Sequence, residues 1–243
     1  MTNIPENTIS YIYQVGGHRR GRFCHTKGIV CTGLLQHCEF GYVLKPSSEH
    51  EVEFYTKAPS VLKSFLPAFF GYSMYNNITF IHLEDLVADF NRPCIIDIKI
   101  GKYARCPRCA VKPSQSHEGL VRIGGFGLMQ NGIFSTVKTN PKSSDSTTVT
   151  NILSTFFSHS KTNLLPGFIS MVEKLLEAIE HISEQYSFYS ASLLFIYDIE
   201  ESSLSTVKMV DFSNSCFHAD IDNFFSRGLD RLITILSTIN ENK

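Results

Sequence analysis

A chain of 243 residues, 43% hydrophobic and 19% charged, carries enough apolar material for one substantial core or for two small lobes sharing a cleft. A formal charge of -1 excludes a generally polyanion-adhesive surface, and no apolar run approaches the roughly 18–20 residues that a membrane-spanning helix needs. Seven cysteines in no regular framework, behind an opening MTNIPENTIS with neither a basic nor an apolar region, lead to the expectation of reduced thiols in cytoplasm or nucleus.

The first part of the chain reads as short strands and turns. Tyr11–Val15 forms a candidate strand running into Gly16-Gly17, and Ile29–Cys31 and Tyr42–Leu44 follow. Residues 50–58 have the character of a short helix, Leu66–Phe70 leaves it, and Ile78–Leu83 is another strand ending at Glu84-Asp85. The apolar run Cys94–Ile100 opens the second half. A basic, proline-containing loop covers 102–118, Leu120–Ile123 is extended, and 139–148 is polar turn material. Val149, Ile152, Leu153, Phe156 and Phe157 recur at helical spacing, as do Phe168, Met171, Val172, Leu175, Leu176 and Ile179, and these stripes are candidate core. Two strands, Ser192–Tyr197 and Val207–Phe212, flank a polar turn, and a last helix spans Ile221–Ile239. A β-rich half (1–86) followed by a helix-rich half (87–243) predicts a two-lobed α+β domain.

Charge is distributed unevenly. No acid lies between Asn7 and Cys38, where His18, Arg19, Arg20, Arg22, His25 and Lys27 cluster; none lies between Ile98 and His117, where Lys99, Lys102, Arg105, Arg108 and Lys112 stand. Two basic islands on a near-neutral chain point to an anionic ligand. Nucleic acid is not the expected one, because no zinc-finger, helix-turn-helix or aromatic RNA-binding pattern is present. In a strand Asp97 and Lys99 share one face, so Pro93-Cys94-Ile95-Ile96-Asp97-Ile98-Lys99-Ile100-Gly101 sets an acid beside a base in apolar surroundings.

That nonapeptide resembles the Pro-x-x-x-Asp-x-Lys-x-Gly signature of the inositol polyphosphate kinases. Gln14-Val15-Gly16-Gly17-His18, Leu35-Gln36-His37, Val43-Leu44-Lys45, Glu51-Val52-Glu53-Phe54-Tyr55, Ser192-Leu193-Leu194-Phe195, Val210-Asp211-Phe212 and Gly228-Leu229 are similar to the family's other segments, in its order. The resemblance implies a reduced protein-kinase-like fold holding ATP between the lobes, with Glu84-Asp85-Leu86 as a hinge that offers backbone groups to adenine. It implies that Lys45 binds the nucleotide phosphates, paired with Glu51 or Glu53, and that Asp211 binds Mg²⁺. Asp97 would reach the ribose hydroxyls, and Lys99 the transferring phosphate and the inositol. Lys102, Arg105, Arg108, Lys112 and His117 would line the substrate side, where arginine forks suit phosphate oxygens. Phosphoryl transfer asks for this: cations and a metal carboxylate that position two anions and neutralise charge, with little covalent work.

The chain departs from the family's pattern at Lys102–Cys106, which lacks an aspartate, and at Asn214, where a basic residue is common. The interval from Gly101 to Arg122 leaves no room for the lid of the trisphosphate 3-kinases. The expected activity is therefore γ-phosphate transfer from ATP to a highly phosphorylated inositol, as a hexakisphosphate kinase or a multikinase. The extra cations lean toward the hexakisphosphate. A non-catalytic module binding inositol phosphates or phosphoinositide headgroups is the competing expectation. The enzyme is expected to be a monomer. Cys106-Pro107-Arg108-Cys109 has zinc-like spacing, but with no second Cys-x-x-Cys or His pair in the sequence it reads as ordinary loop thiols.

Overall fold

Strands β1 (Thr8–Ser10), β2 (Phe23–Cys24), β3 (Ile29–Val30), β4 (Leu35–His37) and β5 (Val43–Ser47) lead into helix α1 (Glu49–Lys57). A 3-10 turn (Ser60–Phe65) then enters a hairpin, β6 (Phe69–Tyr75) and β7 (Ile78–Leu83). The computed structural model describes residues 5–15, 23–24, 29–30, 33–107, 116–117, 119–137, 145–218 and 223–242. Within these, β1-β4-β5-β7-β6 form a five-stranded antiparallel sheet, and β2 pairs with β3. The β6–β7 turn places Asn76 and Asn77 at φ 48° and 59°, the left-handed pair that a tight hairpin requires.

After a crossing made of turns at 84–92, β8 (Pro93–Ile100), β9 (Val121–Gln130) and β10 (Ile133–Val137) precede helices α2 (Ser146–Ser158) and α3 (Leu165–Ile182). Strands β11 (Ser192–Asp198) and β12 (Ser205–Val210) and helix α4 (Phe224–Glu241) complete the chain. The second sheet has the order β10-β9-β8-β11-β12, with the signature strand β8 at its centre. One face of that sheet is covered by helices: Ile96, Ile98, Ile100, Leu193, Phe195 and Tyr197 are at most 0% exposed there and pack with Leu153, Phe168, Leu232 and Leu236. The same core runs on into the first lobe through Phe54, Leu62, Ile81 and Leu83, so the two sheets share one apolar interior.

The two-lobed α+β architecture agrees with the sequence reading, and the differences are local. Tyr11–Val15 is not a strand: Tyr11 donates its hydroxyl to Asp85 at 2.5 Å and Tyr13 packs edge-on against Phe134 at 5.0 Å, so tertiary contacts override strand propensity. Helix α2 begins three residues before Val149, with Asp145 capping it by accepting from the Thr148 N–H at 2.9 Å. The extended run after Leu120 continues through β9 into a hairpin whose turn is Asn131-Gly132, at φ 50° and 75°. Strand β12 stops at Val210, and Asp211 turns out of it at φ 70°. No described helix is long and apolar enough to cross a membrane.

Candidate active site

The face of the second sheet opposite the helices changes character along its length. Ile95, Asp97 and Lys99 alternate onto it from β8, with Ile196, Leu194 and Ser192 as their register partners on β11. Beside the interlobe crossing this face is apolar: Ile95 and Ile196 pack with Val15 and Val87, and Tyr13, Leu86 and Phe134 border them. Two residues further along β8 it becomes charged.

Five ionisable side chains converge there from both lobes. Lys45 Nζ stands 2.7 Å from Asp211 Oδ1 and 2.6 Å from Glu51 Oε1. Lys99 Nζ stands 3.5 Å from Asp97 Oδ2 and 3.8 Å from Asp211 Oδ2, and donates to Ser192 Oγ at 2.9 Å. Burial works against the charge on both lysines, yet the neighbouring carboxylates outweigh it and raise both above the ordinary lysine value. Asp97 and Asp211 diverge. Burial, 3% exposure, dominates at Asp97 and raises it; at Asp211 burial is outweighed by Lys45 and Lys99, which hold it at about 2. Asp211 is thus an ionised carboxylate whose side chain is 36% exposed, a hard oxygen donor suited to a divalent cation.

The backbone prepares these positions. Opposite Asp97 the β8–β9 register shifts, leaving Gly124 as the extra residue of a bulge. A Cβ at Gly124 would lie 2.7 Å from Asp97 Oδ2, so only glycine lets the carboxylate nest against β9. Gly101 ends β8 at φ 93°, a conformation that L side chains rarely adopt. Glu51 fixes the other side of the site. Ser48 caps α1 by accepting from the Glu51 N–H at 3.3 Å, but the Glu51 carboxylate turns away from the reciprocal capping bond. It accepts instead from Ser47 Oγ at 2.5 Å, Ser213 Oγ at 3.0 Å and the Phe212 N–H at 2.9 Å, besides Lys45. Phe212 stacks on Phe54 of α1 at 4.0 Å, so Asp211 is held against the first lobe by the two residues that follow it.

The hinge expectation concerns Glu84 and Leu86. The Glu84 N–H donates to Ala68 O at 2.9 Å, and Glu84 Oε2 accepts from the Ala68 N–H at 3.0 Å, so this residue joins β6 to β7. Leu86 borders the apolar end of the site. Asp85 between them ties the crossing to the first sheet through Tyr11 and Gln36 Nε2, at 2.5 Å and 3.0 Å.

Lys45, Asp97, Lys99 and Asp211 are brought together as the sequence reading expected, and Glu51 rather than Glu53 is the partner of Lys45. Glu53 pairs with Lys57 at 2.7 Å. The candidate substrate cations are less concentrated. Lys102 lies over the rings of Tyr103 and Phe224, at 5.6 Å and 5.3 Å; Arg105 is half-buried; the His117 N–H donates to Lys102 O at 2.8 Å. Arg108, Lys112 and the cations of the first basic island, His18, Arg19, Arg20, Arg22, His25 and Lys27, lie outside the described residues. Two members of the site went unassigned in the sequence: Ser192, and Arg122, the register partner of Lys99 on β9. Arg122 is 6% exposed, burial lowers its pKa, and its Nε has no hydrogen-bond partner among the described residues. The period-2 pattern of β9 could have placed Arg122 beside Lys99 once the register was known, but a single strand does not disclose its register.

A family model described as inositol polyphosphate kinase matches residues 80–237. The human inositol polyphosphate multikinase is 27% identical, the match covering 82% of this chain and 53% of that protein. The rat multikinase is 28% identical, over 76% of this chain and 52% of its own length. The chain thus spans about half the length of the curated relatives it matches. Among solved structures, the inositol phosphate multikinase of S. cerevisiae, in complex with ADP and Mn²⁺, superposes with a TM-score of 0.67 at 19% identity, covering 82% of this chain and 99% of that one. At that identity the likeness is one of fold, and it extends over both lobes.

Proposed function

The chain belongs to the inositol polyphosphate kinase family, and from that premise we propose that it transfers the γ-phosphate of ATP to hydroxyls of an inositol polyphosphate, in the manner of a multikinase. The observation that carries this reading is the interlobe cluster of Lys45, Asp97, Lys99 and Asp211, beside an apolar patch that suits a purine. A binding module has no use for an ionised, half-open carboxylate between two lysines.

Asp211 is the residue that would hold a divalent cation, proposed to be Mg²⁺, which when bound neutralises phosphate charge. The Mn²⁺ and ADP complex of the yeast relative supports the pairing of nucleotide and metal. Lys45 binds and orients the nucleotide phosphates, and Glu51 keeps its ammonium aimed at them. Asp97 has a buried oxygen, Oδ1, with no partner among the described residues. Such an acceptor costs about 1–3 kcal/mol, which a ribose hydroxyl would offset. Lys99 stands between Asp97 and Asp211, where a fixed cation lowers the cost of bringing two anions together. Arg122 extends the positive charge toward the inositol side, its Nε, without a partner among the described residues, a donor for a phosphate oxygen.

The curated relatives named inositol polyphosphate multikinase support the multikinase alternative over the hexakisphosphate kinase. The lean toward the hexakisphosphate rested on loop cations, two of which, Arg108 and Lys112, fall outside the described residues, and on Lys102, which is engaged with aromatic rings. The test is incubation with ATP and Mg²⁺ and either inositol 1,4,5-trisphosphate or inositol hexakisphosphate, with products resolved by ³¹P NMR. Conversion of the trisphosphate through successive monoesters is expected. A β-phosphate doublet from the hexakisphosphate would instead assign pyrophosphate formation, and silence on both substrates from folded protein would return the chain to the binding-module reading. Asp211→Asn is expected to lower turnover by at least about 1,000-fold, on the order of 4 kcal/mol in the barrier, while inositol phosphate affinity stays within a few-fold.

A further inference from the structure

The segment after β8 and the segment after β12 meet outside the phosphotransfer site. Each brings soft ligand atoms. Cys106 Sγ, Cys216 Sγ and a ring nitrogen of His218 all lie within 4.8 Å of one another. Cys106 Sγ is 3.6 Å from His218 Nε2, although the two residues are 112 apart in sequence. Cys106 is 3% and Cys216 8% exposed, in a small cluster with Tyr189 and Tyr103 that is separate from the main core.

The Cys106–His218 spacing is that of two ligands on one zinc. A thiolate at about 2.3 Å and an imidazole nitrogen at about 2.0 Å from one zinc, at a tetrahedral angle, lie about 3.5 Å apart, close to the Cys106–His218 distance. A thiol–imidazole hydrogen bond gives a similar distance, but it needs neither the second thiol nor its burial. We propose that Cys106, Cys216 and His218 form a zinc site that fastens the loop following the signature strand to the loop following Asp211. Both thiols release their protons to solvent on binding, and His218 coordinates through the neutral Nε2, so two thiolates balance the dication. The fourth position belongs to water or a further side chain. Cys109 follows Cys106 at the Cys-x-x-Cys spacing common to zinc sites and lies outside the described residues. The sequence alone did not reveal the site, because its other donors form a Cys-x-His pair in a different lobe segment, adjacent only in the fold.

Gly101 donates to Leu120 O at 2.8 Å, Ser190 Oγ donates to Ala104 O at 2.9 Å, and Ser187 and Cys216 exchange backbone bonds at 2.9 Å and 2.8 Å. Satellite loops with so small an apolar cluster gain most from a metal cross-link. A zinc here would set the position of Lys102 and Arg105, on the first loop, relative to Asp211 at the root of the second. The role is structural and does not depend on which phosphotransfer, if any, the neighbouring site performs.

The test is metal content. Untagged protein, dialysed against EDTA to strip weakly held cations, is analysed by mass spectrometry of the elements. About one zinc per chain is expected, and titration with a mercurial that caps thiols should release it. Cobalt substituted into the unaltered chain should give the visible bands of a tetrahedral thiolate site. Cys216→Ser and His218→Ala should each lower zinc retention at least tenfold, whereas Cys38→Ser, at an exposed cysteine, should keep it. Absence of zinc with an octahedral cobalt spectrum, a Cys106–Cys216 disulfide found in its place, or full zinc retention in both Cys216→Ser and His218→Ala would each overturn the proposal. The cobalt and mercurial measurements use the unaltered chain, so they decide the matter even if a variant fails to fold.

Discussion

Two carboxylates flank Lys99, and their surroundings drive them in opposite directions. Asp97, buried against Gly124, is raised; Asp211 is held at about 2 by Lys45 and Lys99, against the effect of its own burial. A carboxylate lowered in the folded state contributes stability that is fully present above its unfolded value, near 4, and is lost as pH falls through about 2. The wild-type chain should therefore lose stability relative to Asp211→Asn across this acid window and show a constant difference above about pH 5. Urea unfolding of both proteins from pH 6 downward measures it. Asp198 is lowered too, by backbone N–H donors from Arg92, Glu200 and Glu201 that outweigh its burial, but it is common to both proteins and cancels in the difference. A wild-type-minus-variant difference that stays flat through the acid window would mean that the two lysines do not hold Asp211 ionised.

At the level of elements, the β8–β9 bulge decides whether the signature residues can be used. Gly124→Ala places a Cβ against the Asp97 carboxyl, 2.7 Å from Oδ2, and the carboxyl must shift. The expected cost is about 1–3 kcal/mol of stability, as for other overpacked sites, with a disproportionate loss of ATP affinity, tenfold or more. Isothermal titration with ATP and a thermal melt separate the two effects. Unchanged affinity in a folded variant would show that Asp97 does not need its nest. Period-2 reading of β8 was enough to place Asp97 and Lys99 on one face, and the order of motifs was enough to bring Lys45 and Asp211 to the same cleft. The bulge was not legible, since Gly124-Gly125 looks like any weak point in a strand, and neither was Arg122, whose place depends on register. Asn131-Gly132 was a readable hairpin signal, and it marks where β9 turns into β10. Tyr11–Val15 misled for the opposite reason: its strand-forming residues serve the hinge patch instead.

Across the molecule, the lobes are joined by charge as well as by core. Lys45 on the first sheet reaches Asp211 beyond the second, and Glu51 holds Lys45, Phe212 and Ser213 together. On the proposed reading, phosphates would draw on Lys45 and a cation on Asp211, so ligand would bind the same groups that now pair directly across the lobes. Two consequences separate Lys45 from a merely structural lysine. Lys45→Met leaves Glu51, 0% exposed, without its cation, a change on the order of 3 kcal/mol for a buried pair, so the free variant should melt lower. It should also lose the gain that ligand gives. In the wild-type chain, Mg²⁺ and ATP at a hundredfold excess over Kd should add about 2.7 kcal/mol, or a rise of roughly 5–10 °C in Tm for a domain of this size. Differential scanning fluorimetry with and without Mg²⁺ and ATP reads both numbers. A variant that melts lower yet keeps the full ligand-induced rise would make Lys45 a fastener between lobes and remove it from the nucleotide site.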